Sequence, residues 1–374
     1  MVRVPTLTDG VVTLRAHSEG DIERCLEQCV DPDSIRWTTV PTPYTLEDAK
    51  RFVRDAMPGG WASDQEWGFA VEFEGRYGGT VSLRNRGEQR AEIAYGSHPD
   101  VRGTGAMERA LRLLLAWGFS PEGRELATVV WYANEYNWAS RKLAWKVGFS
   151  FDGTLRGWLP HRGEMLNGWA GTLLRGESME PRTEWLAVPR IVGEKVVLRR
   201  ERPSDRARLI EGANDAETQR WIFRMESPYD AAAADRFFAA REEGMAAGEA
   251  IHWVLADAAT DALCGVVSIH HIRRPCGEIG YWTHPDARGR GLTTEAVRLM
   301  ARHAFIDVED GGLGLERLSL CADVRNPASC AVAEKAGFTR VGVERLGTGT
   351  RSGERGDSVA YDLIAADFFD PDRT

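Results

Sequence analysis

Lysine is scarce in this chain. Of its 47 basic residues only five are lysine: Lys50, Lys142, Lys146, Lys195 and Lys335. The rest are arginine, a bias of GC-rich coding that says little about function. Long hydrophobic runs are also missing. No stretch of about 18 apolar residues occurs, so no membrane span is expected. Residues 1–10 lack the basic-then-apolar order of a secretory signal, and a cytoplasmic protein is expected. The six cysteines (Cys25, Cys29, Cys264, Cys276, Cys321, Cys330) form no Cys-x-x-Cys pair and no zinc spacing. Reduced, buried thiols are expected, although Cys25 and Cys29 fall at i, i+4 and can share a helix face. No metal is expected. A strongly basic half is absent as well. Residues 1–186 carry 22 basic and 26 acidic side chains, and the remainder 25 and 30, so the net charge of −9 is shared. Neither half reads as a nucleic-acid domain. The local cluster Arg84, Arg86 and Arg90 reads as a solvated strand-loop surface, with a local basic groove as the alternative.

What is present is a repeat. His98-Pro99-Asp100-Val101-Arg102-Gly103-Thr104-Gly105 returns as His284-Pro285-Asp286-Ala287-Arg288-Gly289-Arg290-Gly291, an offset of 186 in 374 residues. The match continues on both sides. Glu92-Ile93-Ala94-Tyr95 answers to Glu278-Ile279-Gly280-Tyr281, Asn137-x-x-Ser140 to Asn326-x-x-Ser329, and Gly148-Phe149 to Gly337-Phe338. A period this long indicates duplicated whole domains rather than a solenoid. The expected division is an N-terminal domain over 1–176, a linker over 177–189 carrying Pro181 and Pro189, and a C-terminal domain over 190–374.

Each half reads alike. A first strand (Val11–Arg15; Lys195–Arg199) enters a polar helical region. A helix follows a Pro-Tyr pair (Leu46–Ala56; Ala231–Gly244). Apolar alternation then predicts strands at Trp67–Phe73, Gly79–Leu83 and Ala91–Ser97, and at His252–Ala256, Gly265–Ile269 and Glu278–Thr283. Behind the glycine loop comes an amphipathic helix with apolar positions Ala110, Leu111, Leu114, Leu115 and Trp117. The second copy has Ala296, Val297, Met300, Ala301 and Ala304-Phe305. A strand (Leu126–Tyr132; Leu318–Ala322) leads to a helix ending at Gly148 or Gly337, each a helix C′ glycine. Closing strands lie near Trp169–Leu174 and Val359–Leu363. The expected class is α/β (α+β), with two tandem units.

The glycine loop carries the chemistry. A strand ending at Tyr95 or Tyr281 runs into two glycines and then a helix N-terminus. Glycines take positive φ and let a ligand approach the backbone. First-turn amides and the helix dipole favour an anion, and the arginine adds charge. The combination suits a pyrophosphate. A dinucleotide fingerprint is excluded because Glu108 and Thr294 stand where the third glycine belongs, and no Gly-Lys-Ser/Thr exists for a triphosphate loop.

With the Glu-Ile-x-Tyr strand before the loop and the Asn-x-x-Ser helix behind it, the chain resembles the GCN5-related N-acetyltransferase (GNAT) superfamily in both halves. The subgroup it resembles includes the Rim-type ribosomal-protein alanine acetyltransferases. The resemblance implies two mixed sheets, each splayed at its middle, with acetyl-CoA wedged in the opening. It implies that the cofactor is held by Arg102, Gly103, Thr104, Gly105, Ala106, Met107 and Asn137. In the second copy the holders are Tyr281, Trp282, Arg288, Gly289, Arg290, Gly291, Leu292, Thr293 and Asn326. It implies direct transfer of an acetyl group to an amine in a ternary complex, the acceptor being a small molecule or a protein N-terminus. Alternative readings keep the fold with a carrier-bound acyl group or an acyl- or aminoacyl-tRNA as donor, or make the chain a non-catalytic CoA-binding protein. Oligomeric state is open, since the chain is already a pseudo-dimer.

The copies differ. Met107 stands where the family pattern has a small residue, and Thr293 answers to it. Asp357 precedes the last strand of the second copy, where the first has Asn167. The tyrosine that serves many members as general acid is replaced by Ala144 and Ala333, so Ser140, Ser329 or water is expected to protonate the leaving thiolate. Glu92, Glu278 and Asp357 are the candidate bases, with cross-strand pairing to arginine as the alternative role of each glutamate. The C-terminal copy, closer to pattern, is expected to be the catalytic one. Trp37 and Trp221 read as core anchors or pocket walls. The aromatic run Trp131 to Trp138 reads as packing or as an acceptor pocket. His270-His271 has no evident carboxylate partner and is expected to be structural.

Overall fold

The computed structural model describes residues 3–222 and 224–370. The chain forms two compact units, Met1–Arg182 and Thr183–Thr374. In the first, β1 (Leu7–Thr8), β2 (Val12–Arg15), α1 (Ile22–Val30), α2 (Pro32–Trp37), α3 (Leu46–Arg51) and α4 (Met57–Ala62) precede β3 (Glu66–Phe73), β4 (Arg76–Asn85) and β5 (Arg90–Ser97). Then come α5 (Ala106–Phe119), β6 (Thr128–Asn134), α6 (Trp138–Lys146), β7 (Gly153–His161) and β8 (Glu164–Leu174). The strands make one sheet in the order β1-β2-β3-β4-β5-β6-β8-β7.

The second unit repeats the plan. Its elements are β9 (Ile191–Val192), β10 (Val196–Arg199), α7 (Arg206–Ala213), α8 (Ala216–Trp221), α9 (Ala231–Ala246), β11 (Ile251–Asp257), β12 (Leu263–Arg273) and β13 (Cys276–Thr283). They continue with α10 (Leu292–Phe305), β14 (Arg317–Asp323), α11 (Pro327–Ala336), β15 (Thr339–Gly349), β16 (Arg355–Ile364) and α12 (Ala365–Phe368). The sheet order β15-β16-β14-β13-β12-β11-β10-β9 is the first order read backwards. No helix among the described residues is long and apolar enough to cross a membrane.

Each sheet is antiparallel except at one seam, where β5 meets β6 and β13 meets β14 in parallel. These seams are short. β5 pairs with β6 only over Arg90–Ile93, although it runs on to Ser97. β13 pairs with β14 only over Cys276–Glu278, although it runs on to Thr283. The strands then part, and the sheet opens as a fork. The far edge of β5 stays anchored, because Gly79–Ser82 of β4 pair with Ala94–Ser97. The edge facing the fork is therefore a row of free backbone donors and acceptors, a template for an extended amide chain.

The helix behind each fork is held by the stripe expected of it. Ala110, Leu111, Leu114 and Leu115 of α5 are fully buried, as are Ala296, Val297, Met300, Ala301 and Ala304 of α10. Each buried leucine contributes about 1.5–3 kcal/mol, so the loops in front of these helices stand on a rigid base. One reading is corrected by the structure. The helix expected at Leu46–Ala56 passes through a π turn at Phe52–Ala56 and continues as α4 to Ala62. The long edge strands β7 and β15 were not expected. Residues 183–189 pack with the second unit: Leu186 is buried in its core, and Trp253 donates to the Pro189 carbonyl.

Candidate active site

The two loops have one geometry. The N-caps of α5 and α10 are Gly105 and Gly291, at φ 84° and 78°, and neither helix has a side-chain cap. By contrast α2, α8 and α9 are capped by Asp31, Asp215 and Asp230. A glycine cap leaves first-turn amides without an intrahelical partner and brings no capping side chain of its own, although in the first copy Thr104 Oγ1 takes up the Ala106 amide. An anion is what satisfies such a terminus. Gly103 and Gly289 are left-handed as well, at φ 78° and 74°, with open space where a Cβ would be. Conformation, not crowding, calls for glycine there.

The loop side chains do other work. Arg102 pairs with Asp31 and Asp33, and Arg288 with Asp215 and the Thr218 hydroxyl. Each arginine thus ties its loop to the start of α2 or α8. Burial, the largest influence, pushes Asp31 and Asp215 up, but the guanidiniums and the capped amides outweigh it and hold both carboxyls below their usual range. Arg290 pairs with Asp257 at 2.7 Å and lowers that carboxyl. Thr104 Oγ1 donates to the Val101 carbonyl at 2.7 Å and accepts from the Ala106 amide. Ala106, Met107, Leu292 and Thr293 are buried beneath the loops. Met107 belongs to the core cluster, and Thr293 shares a hydrogen bond of 2.6 Å with Thr283. The Trp282 ring is core, too, packed in the cluster with Leu209 and Val266, and its backbone lies opposite Val266 of β12.

Across the fork, Asn137 and Asn326 cap α6 and α11 by accepting from the Ser140 and Ser329 amides. Each asparagine keeps its side-chain NH2 for another partner. Ser140 Oγ lies 2.9 Å from the Tyr95 hydroxyl and accepts from Trp131 Nε1 at 3.1 Å. Ser329 Oγ lies 3.0 Å from the Tyr281 hydroxyl. Burial pushes both phenols up, Tyr281 to about 12 and Tyr95 further, so both stay protonated. Tyr95 was not among the expected site residues. The signal was available: both tyrosines and both serines recur in the repeat.

Glu92 and Glu278 sit at the fork's root with partners of their own, whereas Asp357 lies beyond the far end of β14. Glu92 accepts from Arg84 at 3.2 Å and from Arg86. Glu278 accepts from His271 Nδ1 at 3.1 Å. This corrects the expectation that His270-His271 has no carboxylate beside it. Asp357 accepts from the Leu346 amide at 3.0 Å, as Asn167 accepts from the Gly157 amide at 3.0 Å. Both amides belong to positive-φ residues in the neighbouring edge strand, so Asp357 and Asn167 play the same structural part.

A cleft of about 1430 Å³ opens in the N-terminal unit. Its lining brings together Arg102, Gly103, Gly105 and Met107 of the loop, Glu92 and Tyr95 of β5, and Asn137 and Ser140 of α6. Trp37, Tyr44, Tyr132 and Trp158 form an aromatic wall. The aromatic run divides accordingly. Tyr132 faces the cleft, whereas Trp131 is buried and Trp138 packs on Trp169 with centroids 4.6 Å apart. The volume exceeds the roughly 300–1,000 Å³ of an ordinary small-molecule site and suits a long donor with an acceptor. Cys25 and Cys29 also reach this cleft as free thiols. Arg84, Arg86 and Arg90 line it too, but each is paired with a carboxylate.

Comparison with known proteins gives a consistent result. The family described as "Acetyltransferase (GNAT) domain" matches residues 12–150 and again residues 195–339. YdaF of Bacillus subtilis, assigned as a ribosomal N-acetyltransferase, is 32% identical over 190 residues, which cover 46% of this chain and 93% of YdaF. YjcK of the same organism, assigned as an N-acetyltransferase, is 35% identical over 107 residues, covering 28% of this chain and 56% of YjcK. Among solved structures, RimJ of Mycobacterium smegmatis in complex with CoA-disulfide is 18% identical, with a TM-score of 0.42 over 47% of this chain and 91% of RimJ.

Proposed function

This chain belongs to the GNAT acetyltransferase family in both halves, and from that premise we propose that its acetyl transfer takes place in the N-terminal cleft. It is an N-acetyltransferase that moves an acetyl group from acetyl-CoA to an amine. The observation that carries the placement is the convergence of the glycine loop, the open edge of β5, the Tyr95–Ser140 pair and Glu92 on one cavity of about 1430 Å³. Gly105 as an uncapped N-cap, with its left-handed φ of 84°, fits a pyrophosphate. The unpaired edge of residues 94–97 fits the amide-bearing pantetheine arm, and the Asn137 side-chain NH2 is available to it.

Acetyl-CoA supplies the acetyl thioester. The chain's own groups supply position and protons. The incoming amine is neutral when it attacks, and Glu92, with both oxygens engaged by arginines, takes its proton through water. Ser140, backed by Tyr95, returns a proton to the departing sulfur. No protein nucleophile is needed, so the rate rests mainly on positioning. The aromatic wall of Trp37, Tyr44, Tyr132 and Trp158 shapes the acceptor side.

The test compares the two loops in the full chain. Gly103→Asp places a carboxylate beside the proposed pyrophosphate site, and aspartate tolerates the left-handed backbone. Gly103→Asn is its neutral control. Gly289→Asp and Gly289→Asn do the same in the second copy. Gly103→Asp is expected to raise KM for acetyl-CoA about tenfold or more through like-charge repulsion, with a far smaller effect of Asn. Unchanged kinetics for Gly103→Asp, with activity lost in Gly289→Asp, would move the reaction to the C-terminal unit.

A further inference from the structure

The two copies fill the root of the fork differently. On β4 and β5, Arg84 stands opposite Glu92, and Arg84 and Arg86 both hold that carboxylate. On β12 and β13 the same position pairs His270 with Glu278. Pairing then breaks until Arg273 meets Cys276. In the break, His271 takes a φ of 50°, a left-handed value uncommon outside glycine. Consecutive residues of a regular strand face opposite sides. The bulge cancels that alternation and turns His271 back to its neighbour, as bulges do where a side chain is re-aimed. The two imidazoles approach to 4.9 Å between centroids, and His271 Nδ1 reaches Glu278.

Three observations point to a ligand among these groups. One donor atom from each of His270, His271 and Glu278 lies within 4.8 Å of the other two. His270 Nδ1 is buried with no hydrogen-bond partner among the described residues. Gly280 leaves room for the His270 ring, since a Cβ there would stand 2.9 Å from Nε2; the first copy, with Arg84 in place of the histidine, carries Ala94.

We propose that His270, His271 and Glu278 bind a divalent transition metal of the zinc class. Two imidazole nitrogens and one carboxylate oxygen suit Zn²⁺, Co²⁺ or Ni²⁺ rather than Mg²⁺ or Ca²⁺, which prefer all-oxygen shells. Three protein ligands leave a fourth position for water. With metal–ligand bonds of roughly 2.0–2.2 Å, the donor atoms close up by about 1 Å. His271 has the freedom for this, its side chain being 78% exposed. Binding is independent of where acetyl transfer occurs, because it is read directly.

The experiment titrates the chelator-free full chain with Zn²⁺ by calorimetry and with Co²⁺ by visible absorption. One saturable equivalent is expected, with Co²⁺ bands displaced by Zn²⁺. His270→Ala, His271→Asn and Glu278→Gln are each expected to weaken binding by about tenfold or more. His271→Asn is the decisive variant, since asparagine keeps the left-handed turn and removes the imidazole. Its thermal melt verifies the fold. Absence of saturable uptake by the unmodified chain, or unchanged affinity in any of the three variants, overturns the site.

Discussion

The Tyr281 hydroxyl lies 3.0 Å from Ser329 Oγ, and 48 residues separate them in the chain. Tyr95 and Ser140 repeat the contact at 2.9 Å across 45 residues. The pair joins the strand before the glycine loop to α6 or α11 across the fork, and in the proposed reaction it is the group that would protonate the leaving thiolate. Ser140→Ala is expected to lower kcat about 100-fold, the scale of general acid catalysis, while KM for acetyl-CoA changes little. Thiol release with acetyl-CoA measures it. An unchanged kcat assigns the proton to water.

Arg102 looks like a phosphate ligand in sequence but is engaged by Asp31 and Asp33. Arg102→Ala is expected to change KM for acetyl-CoA by less than about threefold and stability by less than about 1 kcal/mol, as for a partly exposed ion pair. Steady-state kinetics and a denaturant titration read the two quantities. A tenfold rise in KM would show that the guanidinium turns to the pyrophosphate.

Asp357 accepts from the Leu346 amide as Asn167 does from Gly157. Asparagine can make the same bond. Asp357→Asn is therefore expected to keep stability within about 0.5 kcal/mol and to leave turnover intact. A large loss of kcat with an unchanged melting temperature would make Asp357 the base instead.

His17 is half-buried, with Nε2 2.9 Å from Thr80 Oγ1. Burial, opposed by Asp21 and aided by Arg15, brings it down to about 4 from an ordinary 6.5. The folded chain thus binds this proton less readily than the unfolded one. The stability involved is complete above pH 6.5 and is lost as pH falls toward 4, by about 1.4 kcal/mol per unit and about 3 kcal/mol in all. His17→Gln is expected to flatten that part of the profile of unfolding free energy against pH. An equally steep profile in the variant would assign the acid sensitivity elsewhere.

Much of the fold was legible because it is local. The stripes on α5 and α10 record which helix faces are buried, while β3, β4, β11 and β12 are marked by their apolar residues and are buried on both faces along most of their length. The edge strands β7 and β15 were missed for the same reason inverted. Most of their residues are exposed, so no apolar alternation marks them. The glycine loops were legible because left-handed φ values restrict residue type. The partners of Arg102 and Arg288 were not, because charged side chains find counter-ions through space, whereas the cross-strand arginine of Glu92 was one of the two roles expected for it.

The sequence by itself determined the duplication, the two mixed units, the loops and the residue types at each fork, since periodicity and backbone conformation are written in neighbouring residues. Only the tertiary structure decided which groups meet. Strand register set Arg84 on Glu92, and the placement of α6 beside β5 set Ser140 on Tyr95. A single bulge set His271 on Glu278. The packing of distant elements opened the large cleft in the N-terminal unit, whose loop had seemed the poorer of the two. Such contacts depend on register and bulges, and a one-residue slip in either would redirect every side chain involved.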